Sequence, residues 1–152
     1  TPMRIEFELN GRTLPFDVLP GECLLDTLRN AGMLSVRRGC ESATCGVCTV
    51  LLDGRPVPSC SVLAVRADGR KVTTVEGLAG EIEKLAVCFG EEGADQCGYC
   101  NPGLALCGYA LKRDNPQATD SQIDEWLAGN LCRCSGYKSQ HRAIRAYLED
   151  RS

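Results

Sequence analysis

Eleven cysteines stand in a chain of 152 residues, at positions 23, 40, 45, 48, 60, 88, 97, 100, 107, 132 and 134. No other feature restricts the fold as much. So many thiols must be oxidised in pairs, buried as small apolar groups, or bound to metal. A secreted disulfide scaffold fits poorly: the count is odd, no basic stretch followed by an apolar run opens the chain, and such scaffolds are usually shorter. In a reducing compartment the same density points to metal ligation or catalysis. A cytoplasmic location is therefore expected.

The spacing narrows the metal. Cys40, Cys45 and Cys48 in "CESATCGVC" read C-x4-C-x2-C, with Cys60 following in "PSC". This is the plant-type spacing for a [2Fe-2S] cluster. A second set reads C-x2-C at Cys97 and Cys100, then, after 31 intervening residues, C-x-C at Cys132 and Cys134. Taken alone, this set suits either iron–sulfur ligation or a zinc site with four cysteines. The single histidine, His141, excludes zinc sites built on two histidines and Rieske centres. It reads as a solvent-facing helical residue. Cys23, Cys88 and Cys107 lie in apolar segments and read as buried small hydrophobes.

A cluster of ferric ions, sulfides and four thiolates carries net negative charge, which the protein must offset with donors. Backbone N–H groups from a tight loop serve, and they also tune the potential. Gly39, Gly46, Gly98 and Gly136, beside the cysteine sets, let the backbone turn inward and approach sulfur.

"MRIEFELN" alternates apolar Ile5, Phe7 and Leu9 with charged residues, the pattern of a half-buried strand. Asn10-Gly11 turns it into a second strand. Leu24, Leu25 and Leu28 take helical spacing, stopped by Gly32. A second hairpin turns at Asp53-Gly54, and "KVTTV" adds a last strand. Residues 1–76 thus form an α+β unit of two hairpins with a helix between them. From residue 77 to 152 four short helices are expected, forming a bundle. Asn101 and Pro102 are read as N-cap and first helical residue of one; Thr119 and Gln122 as a capping box of another. The fourth spans about Ser139 to Glu149 and buries Ile144, Tyr147 and Leu148. Cys97 and Cys100 precede one helix, and Cys132 and Cys134 follow another. Adjacent thiols in C-x-C diverge on a regular helix or strand, so an irregular helix–helix connection is required there.

Together, "GCESATCGVCTVLLDGRPVPSC", "TTVEGL", "QCGYCNPG" and "NLCRCSGY" resemble the small iron–sulfur subunit of the molybdenum hydroxylases, the xanthine dehydrogenase and aldehyde oxidoreductase family. The resemblance covers nearly the whole chain. It implies a β-grasp, plant-type ferredoxin-like domain over 1–76 and a four-helix bundle domain over 77–152. Each would carry a [2Fe-2S] cluster, on Cys40, Cys45, Cys48 and Cys60, and on Cys97, Cys100, Cys132 and Cys134. It implies electron transfer from a molybdopterin site in a large subunit, through both clusters, to FAD in a medium subunit. Gln96 and the sulfur of Cys134 are implied contacts to the pterin cofactor. The implied reaction is hydroxylation of an aldehyde or an N-heterocycle, with "MLSVRRGC" leaning towards the purine and xanthine branch. Three positions depart from the family pattern. Asn101 replaces the usual Thr, Gln140 stands where an apolar residue is usual, and "ESATCG" lacks the common Gly and Gln.

The chain shows no dinucleotide-binding or P-loop motif and no nucleophile–base pair, so no catalytic residue and no substrate site is expected within it. A net charge of −3 with scattered basic residues gives no support to nucleic-acid binding. No apolar run approaches the roughly 20 residues of a membrane span. Two other readings compete: a free-standing double-cluster ferredoxin, and a zinc-stabilised interaction module.

Overall fold

A computed structural model describes residues 1–149. Strands β1 (Met3–Leu9) and β2 (Arg12–Val18) pair antiparallel. Asn10 and Gly11 between them take φ of 51° and 86°, the left-handed geometry of a two-residue hairpin. Helix α1 (Leu24–Asn30) follows and buries Leu24, Leu25, Thr27 and Leu28. Gly32, at φ 93°, ends it. Strands β3 (Thr49–Leu52) and β4 (Arg55–Pro58) form the second hairpin around Asp53-Gly54.

Strand β5 (Lys71–Thr73) joins the hairpins into one sheet in the order β2-β1-β5-β3-β4, running parallel to β1 and antiparallel to β3. Ile5, Phe7 and Leu9 of β1, the leucines of α1, and Val50, Leu52 and Val72 share one core.

Four helices complete the described chain: α2 (Ala79–Glu91), α3 (Asn101–Asp114), α4 (Asp120–Leu127) and α5 (Lys138–Leu148). The structure is thus a mixed α+β fold of five strands and five helices. Leu85, Phe89, Leu104, Leu111, Ile123, Ile144 and Tyr147 form the core between α2 and α5. The capping box at Thr119 and Gln122 is present, with Gln122 N–H donating to the threonine hydroxyl and Thr119 N–H to the glutamine carbonyl.

A third, smaller cluster connects sheet and helices: Leu51 of β3 packs against Leu106 and Ala110 of α3. Arg113 near the end of α3 donates to the carbonyl of Gly54 at 2.6 Å. The hairpin tip and the helix are therefore held at both ends of one contact.

Two sequence expectations change. Asn101 is not an N-cap. Cys100 occupies that position, and Asn101 is the first helical residue, its amide donating to Asp95 Oδ1 at 3.0 Å. The helix begins one residue early because Pro102 tolerates any position in the first turn, where its missing N–H has no helical partner. His141 does not simply face solvent: it is half-buried and bonded to Asp124 of α4, which ties α5 to α4.

Candidate iron–sulfur sites

The first cysteine loop leaves α1, turns at residues 39–46 and enters β3. Its backbone is shaped around sulfur. A Cβ on Gly39 would lie 3.2 Å from Cys45 Sγ and 2.9 Å from Val47 Cγ2, so only glycine fits there without displacement. Thr44 N–H donates to Cys40 Sγ at 3.4 Å. The N–H groups of Thr44, Cys45 and Ser42 together bring the Cys40 thiol down to about 5. A thiol held this way is a thiolate at neutral pH, the form that binds metal. Cys48 is buried at the start of β3, and burial pushes it up to about 11. Cys60 sits on the short 3-10 turn Ser59–Ser61 after β4 and faces Cys48, as Cys40 faces Cys45. The loop is fixed beside Cys48 by Ser59, whose hydroxyl donates to the Cys48 carbonyl at 2.7 Å.

The second set comes from two connections. Cys97 and Cys100 close the turn between α2 and α3; Cys132 and Cys134 lie between α4 and α5. The irregular backbone demanded by C-x-C is present. Gly136 takes φ 70° and Tyr137, a non-glycine residue, φ 75°. The strain at Tyr137 accompanies a specific bond: its hydroxyl accepts from Cys132 N–H at 3.1 Å. Cys97 and Cys134 Sγ lie 3.6 Å apart, and Cys100 faces Cys132.

Donors again point at sulfur. Tyr99 N–H reaches Cys97 at 3.5 Å, the Ser135 hydroxyl reaches Cys132 at 3.4 Å, and Gln140 Nε2 reaches Cys100 at 3.3 Å. Burial opposes ionisation of Cys132, yet Ser135 hydroxyl and N–H bring it down to about 7. Burial pushes Cys100 up to about 11. Gln140 is only 2 % exposed. Its departure from the apolar residue expected on α5 thus has a use: a buried amide donor aimed at a thiol.

The eight thiols of the two sets meet in four pairs: Cys40 with Cys45, Cys48 with Cys60, Cys97 with Cys134, and Cys100 with Cys132. Among the described residues, no three Cys, His, Asp or Glu side chains converge as a site for one ion. Two irons bridged by sulfides, each taking two thiolates, match an arrangement of four thiols in two pairs. The chemistry of the donor set therefore fits a [2Fe-2S] group at each place.

Both sets open onto one cavity of about 800 Å3, lined by Cys40 and Cys45 and by Cys97, Cys100, Cys132 and Cys134. Cys97 and Cys134 are exposed. Gln96 is exposed in the same turn and does not line this cavity. Outside the sets, Cys88 and Cys107 are buried as expected, and Cys107 Sγ accepts from Asn130 Nδ2 at 3.2 Å. Cys23 is a correction: it is half-exposed and its thiol donates to Asp26 at 3.2 Å. It stands at the N-cap position of α1, with one side packed against the sheet core and the other open to solvent.

The comparisons agree with this geometry. Residues 7–79 match the 2Fe-2S iron-sulfur cluster binding domain and residues 74–145 the [2Fe-2S] binding domain. The second match spans Cys97 to Cys134 and resolves the choice between iron–sulfur and zinc left open by spacing. The chain is 45% identical over 148 residues to the nicotinate dehydrogenase small FeS subunit of Eubacterium barkeri, covering 95% of this chain and 94% of that one. It is 42% identical over 139 residues to the xanthine dehydrogenase iron-sulfur-binding subunit of Escherichia coli O157:H7, covering 88% and 87%. The crystal structure of quinoline 2-oxidoreductase from Pseudomonas putida 86 superposes with a TM-score of 0.91 at 38% identity, covering 97% of this chain and 94% of that chain. The fold and the paired cysteine sets define a protein with two [2Fe-2S] clusters. The chain belongs to the family of small iron–sulfur subunits of the molybdenum hydroxylases.

Proposed function

We propose that this chain is the electron-transfer subunit of a molybdenum hydroxylase complex. It carries electrons from a molybdopterin site in a large partner subunit to FAD in a medium partner subunit. Cys40, Cys45, Cys48 and Cys60 hold one cluster and Cys97, Cys100, Cys132 and Cys134 the other. When bound, each cluster supplies a centre that accepts and releases one electron without a change in covalent bonding. The chain's residues do the rest. They present thiolates in pairs, aim N–H, hydroxyl and amide donors at sulfur, and hold the two sites on one cavity. The observation that carries this reading is the resolution of eight thiols into four pairs, three of which line that cavity.

In this reading residues 1–76 form a β-grasp ferredoxin-like domain and residues 77–152 a four-helix bundle. Support for the division comes from the separate cores of sheet and helices. The helical site is the entry point, because Cys97 and Cys134 are exposed whereas Cys48 is buried. Gln96 and Cys134 are the proposed contacts to the pterin: an exposed amide offers both donor and acceptor to a ring edge presenting both. The substrate class is an N-heterocycle or an aldehyde, and relatives named for nicotinate, xanthine and quinoline favour the N-heterocycle. We place the complex in the cytoplasm, where a reducing environment suits a chain of eleven cysteines. Among the described residues no helix is long and apolar enough to cross a membrane.

The test is Gln96→Ala in the assembled complex. Both cluster EPR signals should persist while substrate-driven cluster reduction slows or molybdenum cofactor is lost. Unchanged cofactor content and unchanged reduction by substrate would remove Gln96 from the entry point.

A further inference from the structure

The loops that carry the two cysteine sets are far apart in sequence but are fastened to each other by a small group of residues. Arg37 Nη1 donates to the carbonyl of Gly98 at 2.7 Å, inside the C-x2-C turn. Tyr99 Oη donates to the carbonyl of Arg38 at 2.6 Å, returning the bond in the opposite direction. The Arg37 guanidinium stacks over the Tyr99 ring, 5.0 Å from its centroid. Tyr99 N–H meanwhile points at Cys97 Sγ, and a Cβ on Gly39 would touch the Tyr99 ring at 3.7 Å. A backbone bond runs alongside, from Leu131 N–H to the Cys45 carbonyl at 2.8 Å.

The charges at this junction are unequal. Arg38 is paired with Asp26 and lies near Glu41. Among the described residues no carboxylate pairs with Arg37. Its bonded partners are a carbonyl and an aromatic face, both of which leave the positive charge uncompensated. It is half-buried, so solvent screens it less than a free surface arginine.

We propose that Arg37, clasped on Tyr99, is a positioning and potential-setting residue shared by the two sites. It places one uncompensated positive charge at the junction of the two loops that carry the cysteine sets. This rests on the reading that both sites hold [2Fe-2S] clusters. Reduction adds negative charge to a centre that is already negative, and a nearby cation favours the reduced form. Tyr99 keeps the guanidinium in place, because attraction to the ring face restrains a planar cation that would otherwise move on a flexible stem.

The experiment is an EPR-monitored redox titration of the assembled complex with wild-type chain, Arg37→Gln and Arg37→Lys. In Arg37→Gln both centres should become harder to reduce by about threefold in equilibrium constant. That is about 28 mV on the scale of about 59 mV per tenfold for a one-electron couple. Arg37→Lys, which keeps the charge but loses the planar fork, should recover at least half of that shift. Unchanged potentials in Arg37→Gln would overturn the proposal, as would equal shifts in both variants. Loss of a cluster signal in either variant would also overturn it, since the residue would then be a brace for the loop. A wild-type complex lacking the two cluster signals would instead sink the proposed function itself.

Discussion

The two cysteine sites solve one problem by different means. In the first, three of four thiols come from a single loop of nine residues, 40–48, laid between a helix and a strand. Short-range geometry does most of the work: Gly39 admits the Cys45 sulfur, and the N–H groups of Ser42, Thr44 and Cys45 surround Cys40. In the second, two short connections supply two thiols each, and the packing of α2 to α5 must bring them together. There side-chain donors, Ser135 and Gln140, join the backbone N–H groups of Tyr99 and Ser135, and one strained residue, Tyr137, accepts the Cys132 N–H. A site built by a loop depends on local backbone. One built by helix ends depends on the core beneath it.

Four substitutions press on that difference. The largest effect belongs to Cys48→Ala, which should abolish the cluster of the first site and leave the second; iron content would fall by about half. Iron analysis and EPR of the purified complex check this, and loss of both signals would mean the sites do not form independently.

Gly46→Ala comes next. Gly46 has φ 76°, and a Cβ there would lie 2.2 Å from the Gly129 carbonyl oxygen. Neither backbone can yield easily, since the Gly46 carbonyl already sits close against Gly103 of α3. The cost should be about 3 kcal/mol or more, read as a lowered midpoint in denaturant unfolding. It should strike both sites, because residues 129–131 lead directly into Cys132.

Gln140→Leu restores the apolar residue usual at this position of α5. Cluster content should be unchanged. The second site's potential should fall by about tenfold in equilibrium constant, about 59 mV, as the amide donor to Cys100 disappears. A titration in which the first site moves equally would contradict the assignment of Gln140 to one site.

Cys107→Ala should do least. Both EPR signals should persist, with a stability loss of about 1–2 kcal/mol. Part of that cost is local: Asn130 Nδ2 would lose its acceptor. Loss of either signal would show that Cys107 is a ligand.

The contrast between the sites also explains what could be read from sequence. The first site was legible because C-x4-C-x2-C is a local signature. The hairpin turns at Asn10-Gly11 and Asp53-Gly54 and the capping box at Thr119 were legible for the same reason: each depends on residues within a few positions. What escaped was set by tertiary packing. Nothing in "KVTTV" says that it pairs parallel to β1 and joins two hairpins into one sheet. Gln140 looked like a departure because its partner, Cys100, is 40 residues away. His141 looked solvated because Asp124 lies on another helix. Arg37 and Tyr99 gave no signal at all, since a guanidinium over a ring is visible only when both loops are in place.

The central claim is that eight thiols hold two separate one-electron centres in one chain. The most direct measurement is quantitative iron, sulfide and zinc analysis of the purified complex, combined with EPR after stepwise reduction. The account predicts about four iron atoms and four labile sulfides for each copy of this chain, and two distinguishable EPR signals. About two iron atoms with a single signal, or zinc in place of the second cluster, would contradict it.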